Sequence, residues 1–340
     1  MPEKDLEIVL NSSYIPWNEL KGKSILITGA NGLLGINLLK YIFEYSKANQ
    51  LGIGLIALVR NKEKLFNKMA QFEMSEGDVK VVVADVLEPI TLDVKVDYII
   101  HAAAPTSSKG FVESPVETID AIVNGTLNIL NLAKEKSVSG FVYLSTMELF
   151  GNPRKNEIVT EETTGSFDTR VIRNSYPLSK QVTENLCCGY AKEHNLNIKI
   201  VRLTQTFGPG VEKDDGRVFA EFARCVIDKK DIVLKTRGQT ERCYLYTVDA
   251  VTAILTVLLK GNAGEMYIAA NQDTYCSIYD MAQMLANKAG TKVVIQESDI
   301  SKLGYADELH MNLSSEKLQK MGWKPVVGLE EMFERMIEEF

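Results

Sequence analysis

The sequence predicts an α/β protein built on a doubly wound parallel sheet with a smaller C-terminal lobe. A short apolar strand over 24–28 leads into a glycine-rich turn and then a helical pattern. Five further apolar runs up to residue 203 are separated by helical or polar stretches, which is typical of parallel βαβ units. With 340 residues, the chain is long enough for one large α/β unit and a smaller lobe.

Composition excludes several classes of function. The net charge is −7 and the chain has no long basic cluster, so we expect no nucleic-acid partner. No apolar run approaches membrane-spanning length, and the polar start MPEKDLEIVL does not resemble a signal peptide. Five cysteines without CxxC spacing indicate reduced thiols and a cytoplasmic protein. The three histidines are far apart, so we predict no metal site.

Three glycines, at 29, 32 and 35, lie between the first strand and the first helix. Glycine permits positive φ and close approach of the backbone to a ligand. The helix that follows offers free N–H groups and a positive dipole end to a pyrophosphate. The turn therefore predicts a dinucleotide site. Its predicted cofactor contacts are Gly29, Asn31, Gly32, Leu33, Leu34 and Gly35.

The segment 28–35 reads TGANGLLG, which resembles the TGxxGxxG signature of extended short-chain dehydrogenases/reductases. Members of this family work mostly on nucleotide-linked sugars. The resemblance implies a Rossmann-type sheet that binds NAD or NADP, with a C-terminal lobe that binds the nucleotide sugar. The resemblance extends from about residue 22 to the C-terminus.

The second and third predicted strands, 52–60 and 79–84, each end at a predicted cofactor contact. Arg60 follows the second strand where many dinucleotide proteins carry an acidic residue that selects NAD. Arg60 would tolerate NADP, stack on adenine, or simply be solvated. The resemblance implies that Asp85, followed by Val86, contacts the adenine. We predict NAD, with NADP open because of Arg60.

The fourth predicted strand, 97–101, runs into three small residues, Ala102, Ala103 and Ala104. They resemble the family's loop beneath the cofactor, where bulkier side chains would collide with the pyrophosphate and ribose. Thr106, farther along this loop, is a predicted substrate contact. We interpret His101 as a packed residue at the strand end rather than a catalyst.

A long helix over 116–133 precedes a fifth strand, 141–145, which leads into the first catalytic segment. The resemblance implies that Thr146 hydrogen-bonds the sugar hydroxyl being oxidised and that Glu148 is catalytic. Between them the related 4,6-dehydratases carry Asp and UDP-glucuronate decarboxylases carry Ser. Here Met147 occupies that position, and a thioether cannot donate a proton.

Tyr176 and Lys180 lie four residues apart at the start of a helix that runs to about residue 194. This spacing places both side chains on one helical face. A tyrosine titrates near 10, so nearby positive charge is needed to form a phenolate at neutral pH. Tyr176 is the predicted acid/base, and both residues are also predicted cofactor contacts. Arg173 resembles the Arg-x-x-Tyr of UDP-glucuronate decarboxylases and is a predicted substrate contact.

Three later residues, beyond a sixth strand over 198–203, are predicted to contact the substrate. Gln205 stands where the family has an Asn that contacts the sugar-nucleotide phosphate. Arg217 is a pyrophosphate clamp or a surface residue at a helix start. The resemblance places Arg242 over an anionic sugar, as a catalytic residue and a substrate contact.

We divide the chain into an N-terminal extension, an NAD(P)-binding domain and a nucleotide-sugar lobe. The extension is 1–22, the domain is 23–205 with 241–262, and the lobe is 206–240 with 263–340. The helices over 116–133 and 175–193 carry more apolar residues than one face needs. In the family the corresponding helices form a four-helix bundle, so we expect a homodimer.

The predicted function is modification of a nucleotide sugar through a transient 4-keto sugar. A UDP-glucuronate decarboxylase-like reaction comes first, because the three arginines favour an anionic sugar and decarboxylation does not need an acid at 147. A 4-epimerase is the alternative, which an apolar Met147 beside the sugar would suit, with a 4,6-dehydratase behind it. Two hypotheses come from other classes of protein. The first is an NADPH-consuming reductase, which Arg60 would suit. A non-catalytic NAD(P) sensor would not need the Tyr/Lys pair.

Overall fold

The computed structural model describes residues 3–297 and 308–340. The helices are α1 Glu3–Leu10, α2 Leu33–Ala48, α3 Lys62–Gln71, α4 Ser108–Glu113, α5 Pro115–Lys136, α6 Ser175–His194, α7 Val218–Ile227, α8 Thr247–Lys260, α9 Ile278–Ala289, α10 Glu316–Gln319 and α11 Leu329–Glu339. The strands are β1 Ser24–Thr28, β2 Gly54–Val59, β3 Lys80–Val83, β4 Tyr98–His101, β5 Gly140–Thr146, β6 Ile158–Val159, β7 Ile198–Leu203, β8 Gln205–Phe207, β9 Ile232–Leu234, β10 Glu241–Tyr246, β11 Met266–Ala269, β12 Asn271–Ser277, β13 Val293–Ile295 and β14 His310–Leu313.

A seven-stranded parallel sheet forms the centre of the molecule, in the order β11-β7-β5-β4-β1-β2-β3. The chain builds outward from β1 through β2 to β3, then crosses to β4 on the other side of β1. This reversal is a topological switch point, and ligands bind outside the carboxyl ends of strands at such points. The predicted doubly wound parallel sheet is confirmed.

Helices cover both faces of the sheet, as the nearly continuous apolar strands require. On one face α2 and α8 contribute buried residues such as Leu39 and Leu255 to a core cluster. On the other face α5 and α6 contribute residues such as Ile129 and Cys187 to a second cluster. Within residues 3–297 and 308–340, no helix is long and apolar enough to cross a membrane.

The second unit is a small mixed sheet. Its order is β12-β10-β14-β6, with β8 also pairing with β10, and a two-stranded sheet of β13 and β9 lies beside it. The expected division of the chain differs from this arrangement in two places. β10 pairs with lobe strands, whereas β11 pairs with β7 at the edge of the central sheet. Strands this short carry no sequence signal for the sheet they join.

The N-terminal extension is part of the packed structure. Trp17 is buried and stacks on Tyr45 of α2 with ring centroids 3.8 Å apart. Asp5, on α1, is fully buried and forms an ion pair with Arg335 of α11. Asp5 also accepts a hydrogen bond from Tyr246 at 3.0 Å, at the end of β10. The extension therefore joins the first βα unit to the C-terminal helix.

Candidate active site

The glycine turn packs closely against the loop after β4. Gly29 has φ +65°, and a Cβ there would lie 2.8 Å from the Cα of Ala103. A Cβ on Gly35 would lie 2.3 Å from the carbonyl oxygen of Gly29. The α2 helix starts at Leu33 with Gly32 as its N-cap, which provides no side-chain cap. Its first N–H groups are left for a ligand, so the turn is a cradle that fits a dinucleotide pyrophosphate.

His101 holds the two sides of this cradle together. The Thr28 hydroxyl lies 2.7 Å from His101 Nδ1 and accepts a hydrogen bond from the Ala103 N–H at 3.1 Å. The other ring nitrogen, Nε2, lies 3.1 Å from the Thr126 hydroxyl on α5. Burial, with a smaller contribution from Lys180, lowers the His101 pKa to about 3. The ring is neutral and packed, in agreement with the sequence interpretation.

Arg60 and Asp85 lie at the ends of the adjoining strands β2 and β3. Their charged groups are 3.8 Å apart, and the Arg60 side chain is 80% exposed. Asp85 also accepts a hydrogen bond from the Leu87 N–H at 3.1 Å. The Val86 carbonyl accepts a hydrogen bond from Asn128 on α5 at 2.8 Å. The predicted adenine side of the cleft therefore carries a weak, solvent-exposed ion pair.

Tyr176 lies in the first turn of α6 and is buried. Its ring stacks on Phe111 of α4, with centroids 4.2 Å apart and planes 8° apart. Burial raises the pKa of the phenol, and the charge of Glu148 raises it further. A hydrogen bond with Thr146 and the charge of Arg173 oppose this rise. Tyr176 is therefore a protonated phenol here, and further positive charge is needed to ionise it.

Lys180 lies one turn along α6 and is also buried. Its ammonium donates to the Leu144 carbonyl at 2.7 Å and lies 4.5 Å from the ring centroid of Tyr143. Burial lowers the pKa of Lys180 to about 8, although the nearby Glu184 acts in the opposite direction. The predicted YxxxK pair is thus a buried phenol and a buried ammonium at the carboxyl end of β5.

Glu148 and Arg173 are joined by a two-pronged ion pair. Arg173 donates to the two carboxylate oxygens of Glu148 at 3.0 and 3.1 Å. Glu148 lies in a short 3₁₀ turn after β5, where its N–H donates to the Thr146 hydroxyl at 3.2 Å. Separate roles were predicted for the two residues, and their pairing across 25 positions has no local sequence signal.

Met147 points into the lobe. Its side chain is buried in an apolar cluster with Phe150, Cys243 and Met311. The Thr204 hydroxyl lies 3.3 Å from its sulfur and donates to the Cys243 carbonyl at 2.6 Å. Met147 is therefore a core residue of this cluster. Through Thr204, the catalytic segment contacts the strand that carries Arg242.

The arginines of the lobe differ in their partners. Arg217 forms an ion pair with Asp215, two residues before it, and lies 4.7 Å from the Phe219 ring centroid. Arg242 is partly buried on β10, and its Nε has no hydrogen-bond partner. Within residues 3–297 and 308–340, no carboxylate forms an ion pair with Arg242. Arg242 thus differs from Arg173 and Arg217, each of which forms an ion pair with a carboxylate.

The two remaining predicted substrate contacts lie at different positions. Gln205 begins β8, where it pairs with Tyr244, two residues after Arg242 on β10. Thr106 is exposed in the loop between β4 and α4. Phe111, which stacks on Tyr176, was not among the site residues predicted from the sequence. Its helix is only six residues long, too short to show a helical period.

The fold and the glycine cradle define a nicotinamide-dependent enzyme, and a buried tyrosine and lysine lie one turn apart on its α6 helix. A sequence model of the NAD dependent epimerase/dehydratase family matches residues 25–270, and the chain belongs to this family. NAD is accordingly its cofactor, and the glycine cradle fits that group.

Curated relatives are similar to this chain over most of its length. The chain is 28% identical to UDP-glucuronic acid decarboxylase 1 of Xenopus tropicalis, over 99% of this chain and 77% of the relative. It is also 28% identical to UDP-glucuronic acid decarboxylase 3 of Arabidopsis thaliana, over 93% of this chain and 88% of the relative.

Two solved structures share the fold. The dTDP-glucose 4,6-dehydratase of Streptomyces venezuelae with NAD bound has a TM-score of 0.78 at 20% identity, covering 93% of this chain and 96% of that chain. The UDP-glucuronic acid 4-epimerase of Bacillus cereus, in complex with UDP-glucuronic acid and NAD, has a TM-score of 0.75 at 18% identity, covering 93% and 98%.

Proposed function

We propose that this enzyme decarboxylates UDP-glucuronate, or a closely similar nucleotide sugar, through a transient 4-keto sugar. The observation that carries the proposal is the partly buried guanidinium of Arg242, which has no carboxylate partner in the described part of the chain. It lies on the strand that Thr204 connects to the catalytic segment. The decarboxylase relatives support the same substrate.

The proposed chemistry assigns a separate task to each residue. Bound NAD supplies the acceptor for the hydride that leaves C4. Tyr176, hydrogen-bonded to Thr146, takes the proton of the 4-hydroxyl, and Lys180 supplies positive charge nearby. The C5 carboxylate is then β to a ketone, so its bond to C5 breaks and the electrons delocalise into the ketone. Arg242 holds the carboxylate until carbon dioxide leaves. The enolate then takes up a proton at C5, and the 4-ketone regains the hydride and the proton held by Tyr176.

The environment of Met147 bears on the competing reactions. A 4,6-dehydratase must protonate a leaving hydroxyl, and a buried thioether cannot do so. An apolar residue beside the sugar would suit a 4-epimerase, and the Met147 side chain is apolar but packs into the lobe cluster. Position 147 therefore argues against a dehydratase and gives a 4-epimerase little support. The NADPH-consuming reductase depends on Arg60 alone.

The proposal predicts release of carbon dioxide from UDP-glucuronate by the purified protein with NAD. We expect Arg242→Ala to reduce kcat/KM by about a hundredfold or more, because a charge-assisted contact to the carboxylate is lost. The matched control is Arg237→Ala, which removes an exposed arginine paired with Glu297. Conversion of UDP-glucuronate only to its 4-epimer, with no carbon dioxide, would contradict the proposal.

We also propose a homodimer built through α5 and α6. These helices pack against each other and leave apolar side chains exposed, including Val116 at 72% and Val182 at 51%. In a four-helix bundle they would pack against the same helices of a second copy. We expect a dimer by light scattering at micromolar concentration.

A variant locates the dimer interface. Val182→Asp should shift the protein toward monomer, because it places a charge in the apolar interface. Val294→Asp, at a similarly exposed position on β13, should leave the dimer intact. A wild type that is monomeric, or a Val182→Asp variant that stays dimeric, argues against this interface.

Three further assignments belong to the same proposal. Residues 23–205 form most of the cofactor-binding unit, and the lobe binds the nucleotide sugar. Arg60 gives tolerance of NADP, since the end of β2 lacks the carboxylate that would repel a 2′-phosphate. The free cysteines and the sequence composition suit a cytoplasmic location.

A further inference from the structure

We infer that Arg173 is a positioning residue for Tyr176: it fixes the Glu148 carboxylate and balances its charge beside the phenol, instead of contacting substrate. The inference rests on the proposed function, because it takes Tyr176 as the acid/base. It changes the role expected for Arg173 from the sequence.

Arg173 directs both of its terminal nitrogens to Glu148, and only its buried Nε is without a hydrogen-bond partner in the described part of the chain. Its two terminal nitrogens are both engaged by Glu148, at 3.0 and 3.1 Å, in the planar geometry that an arginine fork favours. Its guanidinium carbon lies 4.9 Å from the centroid of the Phe111 ring. The side chain is 21% exposed and that of Glu148 is 29% exposed. Arg173 is therefore held by one carboxylate and one aromatic ring.

The same aromatic ring connects Arg173 to the catalytic tyrosine. Phe111 stacks on Tyr176 at 4.2 Å, and its carbonyl accepts a hydrogen bond from the Ser175 hydroxyl at 3.0 Å. Arg173, Phe111 and Tyr176 thus form one packed unit. A change in the Arg173–Glu148 pair therefore affects both the position and the charge around the phenol.

The electrostatic effects of the pair on Tyr176 oppose each other. After burial, the charge of Glu148 is the main influence that raises the Tyr176 pKa, and Arg173 lowers it. Without Arg173, the carboxylate would act unopposed. Ionisation of the phenol, and the activity that depends on it, would then move to higher pH.

The other groups around the phenol do not replace Arg173. Thr146 donates or accepts one hydrogen bond, and Tyr143 on β5 and Phe111 on α4 carry no charge at neutral pH. Lys180 directs its ammonium to the Leu144 carbonyl. Before NAD binds, the charged groups that shift the Tyr176 pKa are therefore Glu148 and Arg173, and the positive charge of Lys180 is one turn farther along α6.

The test measures the ionisation of Tyr176 directly in the NAD-loaded protein. Carbon-13 labelling of the tyrosine Cζ atoms gives one titrating signal per tyrosine, and Tyr176→Phe assigns the signal of interest. We expect Arg173→Gln to raise the Tyr176 pKa by about one unit or more, and Glu148→Gln to lower it. The pH at which kcat begins to rise should move upward with Arg173→Gln, while KM changes little.

One further variant separates the charge of Arg173 from its geometry, and another is the matched control. Arg173→Lys keeps the charge but loses the fork, so it should restore the Tyr176 pKa only in part. Arg170 is three residues before Arg173 and forms a similar ion pair with Asp168 on the surface. Arg170→Gln breaks that pair and should leave the Tyr176 pKa unchanged.

The outcomes distinguish this inference from the proposed function. An unchanged Tyr176 pKa in Arg173→Gln, with a raised KM, would make Arg173 a substrate contact and overturn the inference. If Arg173→Gln alone does not fold, the double variant Glu148→Gln with Arg173→Gln removes both charges, so no buried charge is left without its partner. Its Tyr176 pKa should exceed that of Glu148→Gln alone, and equal values overturn the inference. The titration needs no substrate, so the result for Arg173 stays valid even if UDP-glucuronate is not turned over.

Discussion

Tyr176→Phe is expected to lower turnover by about a hundredfold to ten-thousandfold, the usual cost of losing a general base. The phenylalanine ring keeps the stack on Phe111, because only the hydroxyl is removed. The lost hydroxyl is the group that hydrogen-bonds Thr146 and that the proposed mechanism uses to accept the sugar proton. We therefore expect a large fall in kcat, with little change in NAD affinity or thermal stability.

Three measurements check this expectation: steady-state turnover across pH, NAD binding by protein fluorescence, and the thermal midpoint. In the wild type, activity should rise with pH, since burial raises the Tyr176 pKa. The variant should lose that rise. Tyr190→Phe on the same helix removes an exposed hydroxyl that donates to Asn131, so it is the matched control. A Tyr176→Phe variant with near-normal turnover would remove the acid/base from the mechanism.

Elements with strong periodic patterns were predicted well from the sequence. The first strand was expected over 24–28 and is observed there, and the long helix expected over 116–133 extends over Pro115–Lys136. These segments alternate between buried runs and amphipathic stretches that only one type of element accommodates. Short strands in the lobe carry too few residues for a pattern, so the sheet that β10 or β11 joins could not be inferred.

Pairings between distant residues were not predictable by the same reasoning. The local motif located Tyr176 and Lys180, because a spacing of four on a helix is itself a geometric statement. The Glu148–Arg173 pair and the stack of Phe111 on Tyr176 depend on how β5, α4 and α6 meet in space. A sequence pattern does not encode such distances. The contacts that set the environment of the tyrosine therefore required the structure.

Gly35→Ala is expected to have the second large effect, through steric conflict rather than chemistry. The new Cβ would lie 2.3 Å from the Gly29 carbonyl oxygen and 2.6 Å from the Ala30 Cα. Both atoms belong to the backbone, so no flexible side chain can move aside. We expect a loss of stability of about 3 kcal/mol or more, at the upper end of overpacking costs, because the glycine turn must separate from α2.

Loss of NAD binding should accompany this destabilisation, because the same turn cradles the pyrophosphate. Gly32→Ala meets the Gly29 carbonyl oxygen only at 3.2 Å and should be milder, while Gly54→Ala, with its nearest neighbour at 3.8 Å, should fold normally and bind NAD. Thermal midpoints and NAD titrations of the three variants give the ranking directly. If Gly35→Ala bound NAD as well as Gly54→Ala does, the close packing of the turn on α2 would not be what forms the cofactor site.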